Sequence, residues 1–479
     1  MEPLNNLKKI RLEKLAKIQE LGIDPYPTKS VKKDIVAACL KSIGKNVQTA
    51  GRLIGLRAHG GSTFADLMDE SGKIQLFFSQ DKLSTVNREL LTLLDIGDFV
   101  EVSGKVDKTK AGETTIFVEG YKLLAKSIRP IPTSFYGLKD VETRLRKRYV
   151  DLIVNEQTKQ LFVKKAKFWQ SVRSYLADNN FLEVETPALE SVTGGADATP
   201  FITHHNALNQ DYYLRISLEL YQKRLLVGGF EKVFEIGKIF RNEGIDNEHL
   251  QDYLQMEFYW AYANFNNLMD FLPKYYEFIV NQTLGSHISS FAKNQINWSK
   301  NWPKIDYFEA IKSQTGLDLE KDPDISELAK TAEKVGAKVQ KNMGEGRLID
   351  LIYKKTVRAK IIQPSFLINH PISVSPLAKK LASNPKKVQR VQILAAGTEV
   401  GNGYSELNNP IDQEERFKMQ QDLREAGDKE AQMYDKDFVE ALEYGMPPAA
   451  GFGLSQRFFA VIVDKPIRET QAFPTLRSE

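Results

Sequence analysis

The sequence of 479 residues lacks most of the features that build secreted, membrane or zinc-finger proteins. Its single cysteine, Cys39, excludes an internal disulfide and a cysteine-built zinc site, and is typical of a reducing cytosol. The longest clean apolar run, residues 458–463, is far shorter than the roughly 20 residues that cross a bilayer. The N-terminus is charged from Glu2 onward, which argues against a signal peptide. We therefore expect a cytoplasmic protein with no membrane association.

The net charge is only +4, but the charged residues are unevenly distributed along the chain. Residues 1–150 hold 26 Lys and Arg against 18 Asp and Glu, an excess of eight positive charges, whereas the remainder holds 40 against 44. A basic front part suits contact with a phosphate backbone, although such an excess is also ordinary for a solvated surface. At roughly 100 to 200 residues per domain, the length predicts two to four domains.

The first part of the chain predicts a helix followed by a small barrel. Apolar residues at helical spacing predict an amphipathic helix over residues 4–21, packed on a surface. Alternating apolar residues then predict about five short strands between residues 47 and 126, a number and size typical of a closed barrel. The clearest of these strands are residues 47–56, 74–78, 99–106 and 114–124. Such a barrel either binds an oligonucleotide or serves only as a spacer.

The second part predicts a mixed domain of helices and strands. Pro130 and Pro132 indicate a linker over residues 127–150, which separates residues 1–126 from a domain over residues 151–479. We expect a helix at 157–180, strands at 212–216 and 232–239, and a helical insertion at about 281–346.

Three separated segments contain polar residues that packing does not easily explain. An apolar strand ends at Arg241 and Glu243, and an arginine at a strand end is a planar donor for phosphate or carboxylate. A structural salt bridge is the alternative for any lone arginine. In the second segment, residues 397–410, the spacing of the polar residues predicts that alternate side chains face one side of a strand, namely Glu399, Asn402, Tyr404 and Glu406. In the third, residues 445–474, glycines allow a ligand to approach the backbone before Arg457 in an apolar helix.

Four further strings give these segments a family context. They are FLEVETPALESVTGGADATPFITHHNA (181–207), YLRISLELYQKRL (213–225), SPLAK (375–379) and YSELNNPIDQEERF (404–417). Together with the three segments they resemble the bacterial-type lysyl-tRNA synthetases of class IIb, and the resemblance covers nearly the whole chain from residue 51 onward.

The resemblance implies an α+β fold, with an N-terminal OB-fold β-barrel followed by a class II antiparallel sheet flanked by helices. It implies a ligase that activates L-lysine with ATP and Mg²⁺, releases pyrophosphate and transfers lysine to tRNA(Lys). It also implies a homodimer, because Pro187 matches a proline of the family's dimer interface.

The resemblance also implies roles for individual residues. Arg241 would bridge the α-phosphate and the substrate carboxylate, and Arg457 would hold the ATP end of the pocket. Lysine would be bound by Gly195, Glu219, Glu243, Glu257, Tyr259, Asn402, Tyr404 and Glu406. ATP would be bound by Arg241, Glu243, His249, Tyr253, Glu399 and Arg457, with Tyr253 on adenine. The metal ligands would be Glu399 and Gln392.

Charge explains why acids should line a lysine pocket. Removing a strongly hydrated ammonium from water is tolerable only beside compensating carboxylates. Glu219 and Glu406, with the Tyr259 hydroxyl, would receive the ε-ammonium, while Gly195, Glu257 and Asn402 would hold the α-amino end. A solvated surface charge is the alternative for any one of these glutamates.

In the barrel, the resemblance assigns four residues to the anticodon: Arg57, Phe64, Gln75 and Glu113. An exposed aromatic ring that stacks on an unpaired base contributes roughly 1 to 3 kcal/mol. A place in the barrel core is the competing interpretation of Phe64.

Three positions depart from the family pattern. Glu248 stands where an arginine usually contacts the ATP tail, so either Lys223 or Arg224 supplies the lost charge or ATP binds more weakly. Gln392 replaces a second acid for the metal. Gln456 precedes Arg457 where an acid is usual, which puts its orienting role in question.

Two rival functions remain on sequence grounds. A paralogue of the family attaches lysine to elongation factor P, but it lacks the N-terminal barrel. A catalytically silent, RNA-binding relative is the alternative from a different class, and lysine-dependent ATP–pyrophosphate exchange separates it from an enzyme.

Overall fold

A computed structural model describes residues 2–132, 138–244, 249–299, 301–340, 343–427 and 430–477 of the chain. The chain divides into two compact units, Met1–Asn155 and Glu156–Glu479. Among the described residues, no helix combines the length and the hydrophobicity that crossing a membrane requires.

The first unit is built around a closed barrel of five strands in the order β1-β2-β3-β5-β4. The strands are β1 Asn46–His59, β2 Ser62–Asp69, β3 Gly72–Ser79, β4 Phe99–Lys108 and β5 Thr114–Ala125. Alternate residues such as Leu67 and Leu76 fill its interior. The predicted barrel is confirmed, and β2 is the strand that the sequence did not delimit.

The described residues of the first unit also form five α-helices: α1 Glu2–Glu20, α2 Val36–Cys39, α3 Thr85–Leu93, α4 Val141–Arg146 and α5 Arg148–Val154. The predicted N-terminal helix is confirmed, but its packing is uneven, because Ile18 is buried against the barrel while Leu4, Leu7 and Ile10 are exposed. The segment predicted as a linker, residues 127–150, contains α4 and the start of α5 in its described part.

The second unit contains fifteen strands in the described part of the chain. They are β6 Leu182–Glu183, β7 Leu189–Glu190, β8 Ile202–His205, β9 Gln210–Leu214, β10 Lys232–Phe240, β11 Asp252–Ala261, β12 Ile288–Phe291, β13 Asn294–Asn297, β14 Lys304–Asp306, β15 Ser365–Ile368, β16 Lys380–Leu381, β17 Asn384–Val388, β18 Arg390–Ala395, β19 Thr398–Ser405 and β20 Ala449–Ser455.

Eight of these strands form the main sheet, in the order β14-β15-β18-β19-β20-β11-β10-β6. All of its central pairings are antiparallel, as predicted, and only the two outermost pairs, β14 with β15 and β10 with β6, are parallel. The α+β class is therefore confirmed.

The helices of this unit are α6 Glu156–Asp178, α7 Glu219–Val227, α8 Phe265–Leu284, α9 Tyr307–Thr315, α10 Ile325–Lys334, α11 Glu345–Thr356, α12 Pro410–Glu425, α13 Lys436–Glu443 and α14 Gln456–Ile462. Residues of α6, α8 and α14, such as Phe168, Leu272 and Phe458, pack with one face of the sheet in a single apolar cluster. The opposite face of the central strands is left for polar side chains.

The segment predicted as a helical insertion, about residues 281–346, is not wholly helical. It contains the hairpin β12–β13 and the strand β14 as well as α9 and α10. Residues 304–306 pair in parallel with β15, so that β14 becomes the edge strand of the main sheet. Three-residue strands are too short to show a periodic pattern in sequence.

Candidate active site

A cleft of about 270 Å³ lies on the polar face of the main sheet in the second unit. Its lining comes from the central strands β11, β19 and β20, from the start of α7, and from loops around residues 195–197 and 374–377. Cleft residues that the sequence analysis selected are Gly195, Glu219, Arg241, Tyr253, Glu257, Tyr259, Glu399, Asn402, Tyr404, Glu406 and Arg457. Among the selected residues, Glu243, His249 and Gln392 are not part of its wall.

Strand β11 supplies one wall through its alternation. Gln255, Glu257 and Tyr259 face the cleft, whereas Met256 and Phe258 are fully buried in the apolar cluster on the other face. Successive residues of β11 therefore alternate between the cleft and the apolar core.

Strand β20 forms the floor between the two polar strands. Gly453 pairs with both Glu257 of β11 and Asn402 of β19, and Gly451 pairs in the same way with Tyr259 and Tyr404. A Cβ atom built on Gly451 would overlap Glu406 Oε1 and the Tyr259 ring. The absence of side chains at these positions leaves a trough between the two walls.

A β-bulge in β19 brings the polar residues of this strand onto one face. The spacing of Glu399 and Asn402 would place them on opposite faces of a regular strand. The register with β18 shifts between Ile393 and Leu394, so that Val400 becomes an extra residue, and both Glu399 and Asn402 line the cleft.

One end of the cleft is strongly acidic. Glu219 and Glu406 are far apart in sequence, yet both form an ion pair with the ammonium group of Lys223. The Tyr404 hydroxyl donates to Glu219, 2.6 Å from each carboxylate oxygen. The two acids are thus close together, as the sequence analysis required.

The charges at this end differ in their environments. Burial opposes the charge on Lys223, but attraction by Glu219 and Glu406 outweighs it and raises the pKa of Lys223. Burial also raises the pKa of Glu406 well above its usual range, although Lys223 opposes that shift. One internal cation therefore serves two buried acids, and it compensates the charged form of Glu406 only in part.

Glu257 lies in the middle of the cleft and accepts several hydrogen bonds. Ser217 Oγ donates to its Oε1 at 3.0 Å, the Leu218 amide donates to the same atom at 3.1 Å, and the Tyr259 hydroxyl donates to its Oε2 at 2.9 Å. Burial nevertheless raises the pKa of Glu257, and the nearby charge of Glu219 adds to the shift.

The other end of the cleft is cationic. The Arg241 guanidinium donates to the Ile216 carbonyl at 3.3 Å and lies 6.0 Å from the centre of the Tyr253 ring. Burial raises the pKa of Tyr253, while the positive charges of Arg241 and Arg457 oppose the shift. Two arginines therefore flank an aromatic ring at this end.

Glu243 lies close enough to Arg241 to act on its charge, although neither Glu243 nor His249 is part of the cleft wall. Burial lowers the pKa of Arg241, but Tyr253 and Glu243 are the leading groups that outweigh it and raise the pKa. His249 is half-buried and follows residues 245–248, which lie outside the described part of the chain.

Gly195 reaches the acidic end through its backbone. It has a φ of +84°, and a Cβ there would lie 2.9 Å from the Ser217 side chain and 3.0 Å from Glu219 Cβ. Its amide donates to Gln432 Oε1 at 3.3 Å. Both the backbone angle and the close approach require glycine.

Glu399 fits a metal ion, whereas the orientation of Gln392 does not. The Gln392 amide nitrogen donates to Glu399 Oε2, and its Oε1 accepts from the Tyr353 hydroxyl at 2.7 Å. No group of three or more His, Cys, Asp or Glu side chains able to hold a metal occurs among the described residues. An ion at Glu399 would therefore take its remaining oxygen ligands from substrate phosphates and water.

The residues selected in the barrel share its outer face. Phe64 alternates with Ala65, which is fully buried, so the ring is outside the barrel core. Arg57 pairs with Phe64 across β1 and β2, and Gln75 Oε1 accepts from Thr115 Oγ1 at 2.9 Å. Glu113 is exposed just before β5. Burial thus contradicts the core interpretation of Phe64.

Comparison with known proteins connects both units to one family. Residues 140–477 match the family described as tRNA synthetases class II (D, K and N), and residues 47–124 match the OB-fold nucleic acid binding domain. The lysine–tRNA ligase of Moorella thermoacetica is 44% identical over 100% of this chain and 99% of its own length. The chain belongs to the lysine–tRNA ligase family. The same-named proteins of Carboxydothermus hydrogenoformans and Bacillus subtilis are 42% and 38% identical over 99% of this chain, and over 99% and 98% of their own lengths.

The structure locates two of the three departures from the pattern of the lysine–tRNA ligase family, since Glu248 lies outside the described residues. Neither proposed substitute for its charge is available, because Lys223 is buried between two acids and Arg224 pairs with Asp435 at 2.8 Å. That part of the interpretation is wrong. Gln456 is fully buried and donates to Thr470 Oγ1 at 2.7 Å.

Several cleft residues of this ligase family member were not found from sequence. Gln255 could have been found from its alternation with Glu257 on an apolar strand. Arg390 donates from Nε to Asn402 Oδ1 at 2.8 Å, and its only sequence signal is a charge at the start of an apolar strand. Gln432 carries no sequence signal, because it reaches Gly195 across 237 positions.

Proposed function

We propose that this protein activates L-lysine with ATP to lysyl-adenylate and pyrophosphate, and then transfers lysine to the 3′ end of tRNA(Lys). The observation that carries the proposal is the polarity of one cleft, with buried carboxylates at one end and the two arginines Arg241 and Arg457 at the other. A long amino acid with a cationic side chain and a carboxylate matches that polarity.

Lysine would lie along the glycine trough of β20. Its ε-ammonium would meet Glu406 and Glu219 beside the Tyr259 and Tyr404 hydroxyls, where a second cation would favour the charged form of Glu406 that burial disfavours. Its α-amino group would lie near Glu257, with Asn402 and Gly195 completing that part of the subsite. Its carboxylate would then point toward Arg241.

The first step needs no general base. A carboxylate with an ordinary pKa near 2 to 4 is already ionised at neutral pH, so one of its oxygens attacks the α-phosphorus directly. The bond from that phosphorus to the bridging oxygen breaks, and pyrophosphate leaves with the electron pair. Arg241 would stabilise charge on the α-phosphate, and Arg457 would hold the ATP tail.

The remaining ATP contacts would come from the same end of the cleft. Tyr253 would stack on adenine, with Glu243 and His249 beside the nucleotide. We propose Mg²⁺ at Glu399, where it would neutralise phosphate charge, with Gln392 positioning that carboxylate rather than serving as a ligand. In the second step the terminal ribose hydroxyl of tRNA attacks the acyl carbon, and AMP leaves.

The barrel would bind the anticodon. We assign residues 1–126 to anticodon binding, 127–150 to a linker and 151–479 to catalysis. Phe64 offers an outward ring for stacking, with Arg57, Gln75 and Glu113 on the same surface. Exposed apolar side chains at Leu182 and Leu189 support a homodimer, and we place the protein in the cytoplasm.

Amino-acid-dependent ATP–pyrophosphate exchange with each standard amino acid tests the proposal. L-lysine alone should support exchange, and purified tRNA should then become charged with radiolabelled lysine. Arg241→Ala should abolish exchange, whereas Arg173→Ala, which removes an exposed arginine paired with Glu183, should leave it unchanged. Exchange with no amino acid, or with another one instead, would overturn the proposal.

A further inference from the structure

The acidic end of the cleft already contains a lysine side chain of the protein itself. Lys223 is fully buried one helical turn after Glu219, and its ammonium contacts Glu219 Oε1 and Glu406 Oε2. Three aromatic rings surround it, with ring centres 6.0 Å away at Tyr259, 5.5 Å at Tyr404 and 5.8 Å at Phe438. Such a cage of acids and rings is how proteins bind an ammonium group.

The internal ammonium determines which carboxylate oxygens remain. On Glu219, Lys223 contacts Oε1, and the Tyr404 hydroxyl lies 2.6 Å from both oxygens. On Glu406, Lys223 forms its ion pair with Oε2, while Oε1 is buried and, like Oε2, accepts no hydrogen bond in the described part of the chain. A Cβ on Gly451 would overlap that same Oε1, so the free oxygen faces the trough of β20.

A single free oxygen discriminates between the two long cationic amino acids. An ammonium is a point charge that binds one carboxylate oxygen well, whereas a guanidinium is a planar fork that binds both oxygens of one carboxylate. With Lys223 in place, neither acid presents two free oxygens. A buried guanidinium would therefore keep unpaired N–H groups, which is costly.

We propose that Lys223 is a specificity-determining residue that excludes L-arginine from the lysine pocket by occupying Oε2 of Glu406. This inference rests on the proposed function and deepens it, since it names the residue that decides between two cationic substrates.

Lys223→Met tests the inference, because methionine keeps much of the volume and removes the charge. In ATP–pyrophosphate exchange the wild type should use lysine and reject arginine. The variant should lose about tenfold or more in kcat/KM for lysine, and its lysine-to-arginine ratio of kcat/KM should fall by about tenfold or more.

Two further variants distinguish a change of substrate specificity from simple misfolding. The double variant Glu219→Gln, Lys223→Met removes an ion pair as a unit, frees both oxygens of Glu406, and should show the same fall in the ratio. Glu219→Gln alone leaves Lys223 on Glu406, so lysine use should weaken while arginine stays excluded.

Lys126→Met is a matched control in the first unit. Lys126 is also fully buried between two carboxylates, 2.6 Å from Asp95 and 2.8 Å from Asp98, and its loss should leave the exchange ratio unchanged. If the Lys223→Met variant and the double variant both keep the wild-type ratio, the role of Lys223 is overturned while the proposed function stands. A wild-type protein without lysine-dependent exchange would instead overturn the proposed function, and this inference with it.

Discussion

Glu190 is a buried carboxylate outside the cleft whose environment makes stability depend on pH. Its side chain is 6% exposed, and its Oε2 has no hydrogen-bond partner in the described ranges. Burial raises its pKa to about 8, while the nearby Thr193 side chain and the charge of Arg215 oppose the shift. The folded protein therefore holds a proton here that the unfolded chain releases near pH 4.5.

Glu190→Gln should stabilise the protein increasingly between about pH 4.5 and pH 8. The favourable contribution of the neutral acid is complete below the unfolded pKa and is lost as pH rises toward the folded pKa of about 8. The free energy of unfolding of the wild type falls by roughly 1.4 kcal/mol per pH unit in this range. Glutamine does not titrate, so the variant shows no such fall. Thermal unfolding of both proteins at several pH values measures the difference in stability between Glu190→Gln and the wild type.

Glu185→Gln is the control for this effect, because Glu185 is exposed in the same segment. Its unfolding temperature should follow the wild type at every pH. A constant difference between Glu190→Gln and the wild type across the range would contradict a raised pKa at Glu190.

At the scale of elements, β20 shows how a strand without side chains makes room for a substrate. Gly451 and Gly453 sit between the polar residues of β11 and β19, but their surroundings differ. A Cβ at Gly451 would overlap Glu406 and Tyr259, whereas the nearest atom to a Cβ at Gly453 is Glu257 Cγ at 3.5 Å, an ordinary contact.

Gly451→Ala should therefore raise the KM for lysine by about tenfold or more, because an added methyl group displaces the acid and the ring at the ammonium end. The KM for ATP should change little, since the arginines lie at the other end. Steady-state exchange kinetics measure both constants, and Gly453→Ala is the matched control, with a smaller expected effect. Equal effects of the two substitutions would contradict the steric explanation.

The bulge in β19 is the second element-scale feature of the cleft. Strand alternation was predicted to place Glu399, Asn402, Tyr404 and Glu406 on one face, but the three-residue spacing from Glu399 to Asn402 gives no reason for Glu399 to join the other three. The extra residue Val400 provides that reason. A bulge depends on the register with a neighbouring strand, which local periodicity does not contain.

At the scale of the whole molecule, the two units predict separable effects on the two steps of the reaction. Phe64→Ala should raise the KM for tRNA by roughly 5- to 150-fold, the loss of one base stack, and leave lysine-dependent exchange unchanged. Aminoacylation at varied tRNA concentration measures the first quantity. Phe99→Ala removes a partly exposed aromatic ring of β4 that packs against Arg52, and should affect tRNA less.

The second prediction at this scale concerns assembly. Leu189 is 46% exposed, and Leu182, on the edge strand β6, is 50% exposed, so a second copy that covered them would gain favourable apolar burial. Leu189→Asp should reduce the mass measured by light scattering from about twice 54.4 kDa toward that of one chain. Leu423→Asp, at an exposed leucine of α12, should stay dimeric, and a wild-type protein of 54.4 kDa would contradict the homodimer.

The sequence by itself determined the family, the barrel, the sheet-forming segments and eleven of the residues that line the cleft. The barrel and the sheet-forming segments follow from residue type and short-range alternation, which any strand expresses locally, whereas Glu257 and Tyr259 on β11 were identified by their match to the family pattern. Gly195 and Arg457 likewise belong to sequence segments that resemble those of the family.

Only the tertiary structure decided which partners those residues have. Lys223 was predicted as one of two residues that could replace the positive charge lost at Glu248, yet it pairs with Glu406 across 183 positions. Gln392 was taken for a weakened metal ligand, yet its amide nitrogen faces Glu399. The physical reason is that the charge state, the orientation and the free oxygens of a buried group depend on neighbours brought together by folding, and sequence spacing contains none of these.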